Sequence, residues 1–436
     1  MRGSGGNPMT DEQIAALGPA FSAELRRYRG CFGQDRTAAH FDTYCRGLLS
    51  DLPRKSVEPI ALAAGTAVRT LQEFLVTATW DHAAARQVLH RRVVEVLAEL
   101  PPDPVGSVGV IDETSAAKKG DKTPGVQRQY LGCAGKIDNG VVTVHVGVAQ
   151  GQFQALLDAD LYLPQSWATD RERCRAAGLP DGVRYRAKWR IALDQLLRLH
   201  ANGVTFDWLT FDEGYGSKGP LLWVLGLVNQ KFVAEVPTNF AVRATPDGPS
   251  RRADQSQPGV RTGRWRRFRV GRATQADAVW RARRSRVWAA RRWHTLVTAV
   301  NEATGEVKHF VTNAVGESLA TILAVAFRRA TVEHAFRVGK TELGLTHFEG
   351  RQYVGLMRHL LLTLIVMGFV AVHTERLRGE KPAGDAGAGV PGVERGVPSP
   401  VPPAAGRARP AAHRPGDPLP PAAKRSGHRV PQEAAA

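Results

Sequence analysis

"VGSVGVIDET", residues 105–114, is a short β-branched run that ends on an acid, and "VTFDWLTFDEGYG", residues 204–216, repeats the arrangement. Short runs rich in β-branched and aromatic residues, bounded by turn formers, read as strands. Between the two, "RQYLGCAGKIDNGVVTVHVGVA" (128–149) alternates apolar and polar residues, and its "DNG" predicts a hairpin turn at 138–140. "KWRIALDQLLRLHAN" (188–202) has the helical period and is closed by Gly203 at the position after the C-cap. Strand, strand, helix, strand, with acids at strand ends, predicts an α/β core.

The third acid of interest lies far downstream. "RRATVEHAFRVGKTELGLTHFEGR" (328–351) opens as a helix that sets Glu333 among Arg328, Arg329, Arg337 and Lys340. Arg329, Glu333, Phe336, Arg337 and Lys340 fall at helical spacing and share one broad face. A solvated i, i+4 ladder is one reading of such a face, at roughly 0.3–0.5 kcal/mol per pair. A second reading is chemical. Hard divalent cations take carboxylate oxygens and keep phosphate or water oxygens as their remaining ligands. Asp112, Asp212 and Glu333, brought together, could hold two ions about 4 Å apart that clamp the oxygens of a phosphodiester. Glu113 and Glu213 sit beside two of these acids, and alternation along a strand lets only one of each pair face a site.

Charge points the same way. The chain carries 59 Lys and Arg against 41 Asp and Glu, a formal net charge of +18. A polyanion, with nucleic acid foremost, is the expected partner. From Asn239 to Trp293 there are 15 Arg, no Lys and three acids, Asp247, Asp254 and Asp277, interleaved with Trp265, Phe268, Trp280, Trp288 and Trp293.

Other classes are set aside. The four cysteines are scattered, with no zinc spacing, as expected of reduced thiols in a cytoplasmic protein. The start has no signal-peptide core. "LLLTLIVMGFVAV" (360–372) is too short to span a bilayer and suits a buried helix. "DEGYGSKG" lacks the lysine-serine ending of a phosphate loop, so Gly214 and Gly216 are expected to let the chain leave a strand sharply. His334 and His347 flank Glu333, but Mg²⁺ disfavours imidazole and a structural role is expected of both.

These residues resemble a known family, the DDE transposases of bacterial insertion sequences, in the branch marked by Tyr-x2-Arg-x3-Glu-x6-Lys around the last acid. Arg329, Glu333 and Lys340 match that signature, and Ala326 stands where the tyrosine belongs. "HFDTYCRGLLSDLPRKSVEPIALAAG", "IDETSAAKKGDKTPGVQRQYLGCAGKIDNG", "LYLPQSWATDRERCRAAGLP", "FDEGYG" and "GKTELGLTHFEGRQYVGLMRHLLL" also look like segments of one subgroup, in order, over about residues 40 to 375. The resemblance implies an RNase H-like core, a mixed sheet flanked by helices, with Asp112, Asp212 and Glu333 as catalytic metal ligands for Mg²⁺ or Mn²⁺, two ions per site. It implies water attack at the ends of a mobile element, followed by attack of the freed 3′-hydroxyl on target DNA. Arg329, Arg337, Lys340, Lys118 and Lys119 would grip DNA phosphate, as would Arg264, Arg266 and Arg267 of the basic stretch. Double-stranded DNA is the expected partner, terminal repeats and target alike, bound by a homodimer that joins two ends.

The expected organisation is a helical DNA-binding unit over 10–100, the first part of the core over 105–219, a strand-rich basic insertion over 220–315 and core helices over 316–378. A Pro/Ala/Arg-rich tail over 379–436 reads as disordered. "NEATGE" (301–306) predicts a hairpin, and 317–339 a long helix. Ala326 and the tail leave open a second reading, a decayed or domesticated relative that binds DNA without turnover. A third is a general RNase H-like nuclease or resolvase.

Overall fold

The computed structural model describes residues 11–256, 264–272 and 275–379. Five α-helices come first: α1 (Asp11–Arg26), α2 (Asp35–Leu49), α3 (Val57–Ala63), α4 (Val68–Val76) and α5 (His82–Glu99). The chain continues through β1 (Val108–Ala117), β2 (Gln127–Leu131), β3 (Lys136–Gln150), β4 (Phe153–Leu161), α6 (Gln165–Thr169), α7 (Arg171–Ala176) and α8 (Lys188–Ala201). Then come β5 (Trp208–Phe211), α9 (Glu213–Gly216), α10 (Gly219–Leu227), β6 (Phe232–Val236) and a short pair, β7 (Ala241–Val242) with β8 (Arg251–Arg252). The last elements are β9 (Arg266–Arg272), β10 (Gln275–Ala289), β11 (Arg292–Asn301), β12 (Val307–Thr312), α11 (Leu319–Thr341) and α12 (Tyr353–Gly379).

The large sheet runs β2-β3-β1-β5-β6-β12-β11-β10-β9, with β4 paired to β3. β1, β3 and β4 are antiparallel neighbours, while β5 and β6 run parallel to β1. This mixed sheet with helices on its faces is the expected α/β, RNase H-like architecture. The parallel strands β1 and β5 are buried on both faces, so their sequences, Val108–Ile111 and Trp208–Phe211, are continuous apolar runs rather than alternating ones.

The hairpin expected at "DNG" turns elsewhere. Residues 138–140 lie inside β3, and the chain reverses at 132–135, where Leu131 pairs with Lys136 and Gly135 has φ +64°. Asn139 is held there because its side-chain amide donates to the carbonyls of Lys118 and Gly120. Gly140 is held because a Cβ there would meet the Ala116 carbonyl. Both residues serve strand-to-loop contacts that local turn preference does not report. The other local expectations hold: Gly203 follows α8 with φ +85°, and Asn301–Glu306 joins β11 to β12.

The stretch 220–315 contains β6, which pairs with β5, and β9–β12, which prolong the same sheet. The N-terminal helices likewise share the core: α12 packs against α2, α4, α5 and β4. The helix Tyr353–Leu377 has 25 residues and holds an apolar window long enough, by length and composition, to cross a membrane. In the fold 83% of its apolar window is buried within the protein, so that surface is already satisfied. Arg358 on this helix donates to the carbonyls of Phe74, Leu75 and Trp80 and stacks over the Trp80 ring. The four cysteines are unpaired. The tail from residue 380 lies outside the described residues.

Candidate active site

The β1–β5 register pairs Ile111 with Phe211, so Asp112 and Asp212 are the next residues on neighbouring parallel strands. β1 continues past Asp112, whereas β5 stops and Asp212 becomes the N-cap of α9, its carboxylate accepting from the Tyr215 amide at 3.3 Å. The Asp112 carboxylate accepts from the Glu113 amide at 2.7 Å. Burial, and then the charge of Asp212 beside it, push the Asp112 carboxyl up to about 7. Two oxygen donors side by side, one of them raised by the other's charge, are a donor set suited to a hard cation.

Alternation decides between the neighbouring acids. Glu113 faces the other side of the sheet, where Lys188 of α8 donates to it at 2.8 Å. Glu213 is exposed on the first turn of α9. Gly214 and Gly216 do not have positive φ. Gly216 is required by close approach instead, because a Cβ there would run into the Glu235 carbonyl on β6.

α11 crosses the Asp112 face of the sheet. Ser318 caps its first turn by accepting from the Thr321 amide, and Ile322, Leu323, Val325, Ala326, Val332 and Phe336 bury its inner side. Arg329 is the junction: its guanidinium lies 3.5 Å from Asp112, 3.4 Å from Glu333 and 3.8 Å from Glu235. Burial works against that charge, yet Asp112, Glu235 and Glu333 outweigh it and hold the guanidinium above its ordinary value. Glu333 itself points outward, 61% exposed. Among the described residues no three His, Cys, Asp or Glu side chains gather closely enough to hold a metal ion. Asp112 and Asp212 are brought together, and Glu333 is tied to them through Arg329.

Glu235 is the residue sequence reasoning missed. It is an acid inside the apolar strand "FVAEV", and a charged residue in such a run was the available signal. Besides Arg329 it accepts from Lys308 at 2.6 Å.

The expected cationic face of α11 divides. Arg337 is exposed and donates to the His334 ring at 2.7 Å. Lys340 is partly buried over the Phe336 ring at 5.7 Å, and burial pulls its ammonium down while Cys133 and Asp112 pull it up. Lys118 is spent inside the fold, donating to the carbonyls of Phe348 and Thr346, while Lys119 is exposed. His347 accepts from the Lys55 amide at 3.0 Å, a structural contact.

The basic stretch forms a sheet face. Trp280 and Ala282 of β10 are buried, Trp280 against Phe327 of α11 at 4.9 Å. Alternation therefore turns Arg281 and Arg283 to the opposite side, where Arg267 of β9 pairs with Arg281 and Arg269 with Val279. Trp265 lies on this side, 42% exposed, with the guanidinium groups of Arg281 and Arg283 at 5.8 and 4.8 Å from its ring. Arg267 and Arg281 share Glu302. Arg264 and Arg266 are exposed where β9 begins.

Residues 27–299 match the family described as DDE superfamily endonuclease. The matched stretch takes in Asp112 and Asp212 and ends before Glu333. The chain is also similar to a probable transposase for insertion sequence element IS701 of Microchaete diplosiphon, at 34% identity over 222 residues, 50% of this chain and 54% of that protein. The chain thus spans about half the length of the curated relative it matches.

Proposed function

The chain belongs to the DDE superfamily endonucleases, and on that premise we propose that it is a transposase that cuts DNA at the ends of a mobile element and joins the freed ends to target DNA. The observation that carries the reading is that Asp112, within β1, and Asp212, just past the end of β5, follow the register pair Ile111 and Phe211 of adjacent parallel strands, with Arg329 and Glu333 of α11 over them. Asp112 and Asp212 would hold a divalent cation, Mg²⁺ or Mn²⁺, and Glu333 would complete its donors by turning in from solvent. Bound there, such an ion supplies Lewis-acid charge to a scissile phosphodiester. Arg329 balances the acids Asp112, Glu235 and Glu333. The outer arginines of β9 and β10, with Trp265, offer a surface for the duplex backbone, and Lys119 and Arg337 are further exposed cations that would meet phosphate. Action in the cytoplasm, as a homodimer that brings two ends together, is part of the same proposal.

The experiment is cleavage of a labelled duplex carrying the element's terminal repeat, in Mg²⁺, by wild type and by Asp112→Ala. Cleavage and joining by wild type alone is the expected result. DNA binding without cleavage by either protein would instead establish the non-catalytic relative, a reading favoured by the outward Glu333 and by Ala326 at the signature's first position. Equal cleavage by both would move the chemistry away from these acids.

A further inference from the structure

β6 carries the third residue of a row. Ile111 of β1 pairs with Phe211 of β5 and Phe211 with Ala234 of β6, so the next residues in register are Asp112, Asp212 and Glu235. Neighbouring strands lie about 4.8 Å apart, which puts Glu235 beyond Asp212, at a backbone separation of roughly 10 Å from Asp112. The two carboxylate oxygens of Glu235 are divided between two cations. Oε1 accepts from the Lys308 ammonium of β12 at 2.6 Å, while Oε2 stands 3.8 Å from Nε of Arg329.

Arg329 turns different nitrogens to its acids. Nη1 lies 3.5 Å from Asp112 and 3.4 Å from Glu333, the acids a divalent cation would draw on, whereas Nε faces Glu235. The Arg329 side chain is only partly exposed, and a charge in such a place is strongly destabilised when it loses its partners. Once Asp112 and Glu333 turn to a cation, the acid left for Arg329 is Glu235, already anchored by Lys308. Charge-assisted N–H···O contacts settle near 2.7–2.9 Å, so Nε has to move by about 1 Å to close on Glu235.

We propose that Glu235 is a positioning residue that takes Arg329 over from Asp112 when Asp112 and Asp212 bind a divalent cation. The inference rests on the transposase reading and gives the same site a moving part. Lys308 fixes the Glu235 carboxylate, Glu235 draws Arg329 aside, and Asp112 is freed to act as a donor.

The test is Mn²⁺ titration by calorimetry, without DNA, on the full chain as wild type, Glu235→Gln, Arg329→Gln and the double variant. Glu235→Gln should lower Mn²⁺ affinity by about tenfold or more, because Arg329 then stays on Asp112. In the Arg329→Gln background the same change should cost no more than about threefold, since no guanidinium is left to be moved. Glu235→Asp keeps the charge and should bind within about threefold of wild type. Wild-type affinity in Glu235→Gln would overturn the proposal and leave the carboxylate pair standing. Equal losses with and without Arg329 would overturn it too, because Glu235 would then act on the cation directly. Glu235→Asp as weak as Glu235→Gln would assign the loss to packing and sink it as well. A second measurement needs no change at Glu235. In protein labelled with ¹⁵N at arginine, the Nε–H signal that disappears in Arg329→Gln should move downfield as Mg²⁺ is added. A signal that stays in place in a chain that binds Mg²⁺ would rule out the transfer of Arg329. A wild type that binds neither ion would overturn both this proposal and the metal-dependent part of the transposase reading.

Discussion

Arg329 and Asp112 stand 3.5 Å apart, one on α11 and the other on β1, although 217 positions separate them in the chain. The contact makes Arg329 a resident cation in a site whose acids call for positive charge. At such separations unit charges near a protein surface interact by roughly 4 kcal/mol, part of which desolvation offsets. Arg329→Gln should therefore raise Mn²⁺ affinity by about tenfold in calorimetry without DNA, because one competing positive charge is gone. Asp112→Asn should lose measurable Mn²⁺ binding and also raise the melting temperature in EDTA by about 2 °C, since a buried carboxylate no longer faces Asp212. Unchanged metal affinity in both variants would remove the carboxylate pair from the mechanism.

The buried pair Tyr44 and His359 sets a pH dependence of folding. The Tyr44 hydroxyl donates to Nδ1 of His359 at 2.9 Å, and Nε2 donates to the Gly344 carbonyl at 2.9 Å, so the ring is fixed neutral. Burial pushes its pKa down to about 4 from an ordinary value of 6.5. Between these values the unfolded chain binds more protons than the folded one, so stability is complete above the upper value and drains away as the pH falls through the lower. The loss at pH 4 is on the order of 3 kcal/mol from this group alone. Urea unfolding of wild type and His359→Gln at pH 7 and pH 4.5 measures it: the difference in stability between the two pH values should shrink in the variant by about half that amount or more.

The outer face of β9 and β10 makes a separate prediction about salt. Arg269, Arg281 and Arg283 point away from α11, and Trp265 lies among them. Each arginine that neutralises a phosphate adds about 0.9 to the slope of log affinity against log salt. Replacing all three by Gln should lower that slope by about 2 to 3 for random duplex DNA, measured by fluorescence anisotropy. Trp280→Phe on the buried side should leave the slope as it is and lower stability.

The contrast between Trp265 and Trp280 shows where the sequence was legible. Both sit in the same arginine-rich run, and only strand register reveals that one faces solvent and the other α11. Asp112 and Asp212 could be picked out because each ends an apolar run, a purely local pattern. That they become neighbours depends on parallel pairing of β1 with β5, which no local pattern encodes. Arg329 looked like a cation for DNA because its helical spacing matches Lys340 and Arg337. Its side chain is only 23% exposed and is engaged by acids from β1 and β6, a consequence of how α11 lies over the sheet. Lys118 went the same way, drawn to two loop carbonyls 228 and 230 positions downstream. Glu235 stayed hidden because a lone acid in a strand ordinarily reads as a surface position.

Gly216 links the fold to the site most directly. α9 leaves Asp212 and passes so close to β6 that only a hydrogen fits between Gly216 and the Glu235 carbonyl. Gly216→Ala must push α9 and β6 apart, and both carry acids of the site, Asp212 as the N-cap of α9 and Glu235 as the partner of Arg329. Overpacking of this kind costs about 1–3 kcal/mol, which a chain of this size can absorb while staying folded. Displacement of a reacting group by about 1 Å can cost about a hundredfold in rate. The variant should bind the terminal-repeat duplex as wild type does and cleave it about a hundredfold more slowly, with kcat falling and KM unchanged. The neighbouring Gly214→Ala, whose Cβ would come no closer than 3.1 Å to an Asp212 carboxylate oxygen, should lose far less. Equal losses in the two variants would mean that α9 merely has to be small, and that the approach of α9 to β6 does not set the position of Asp212.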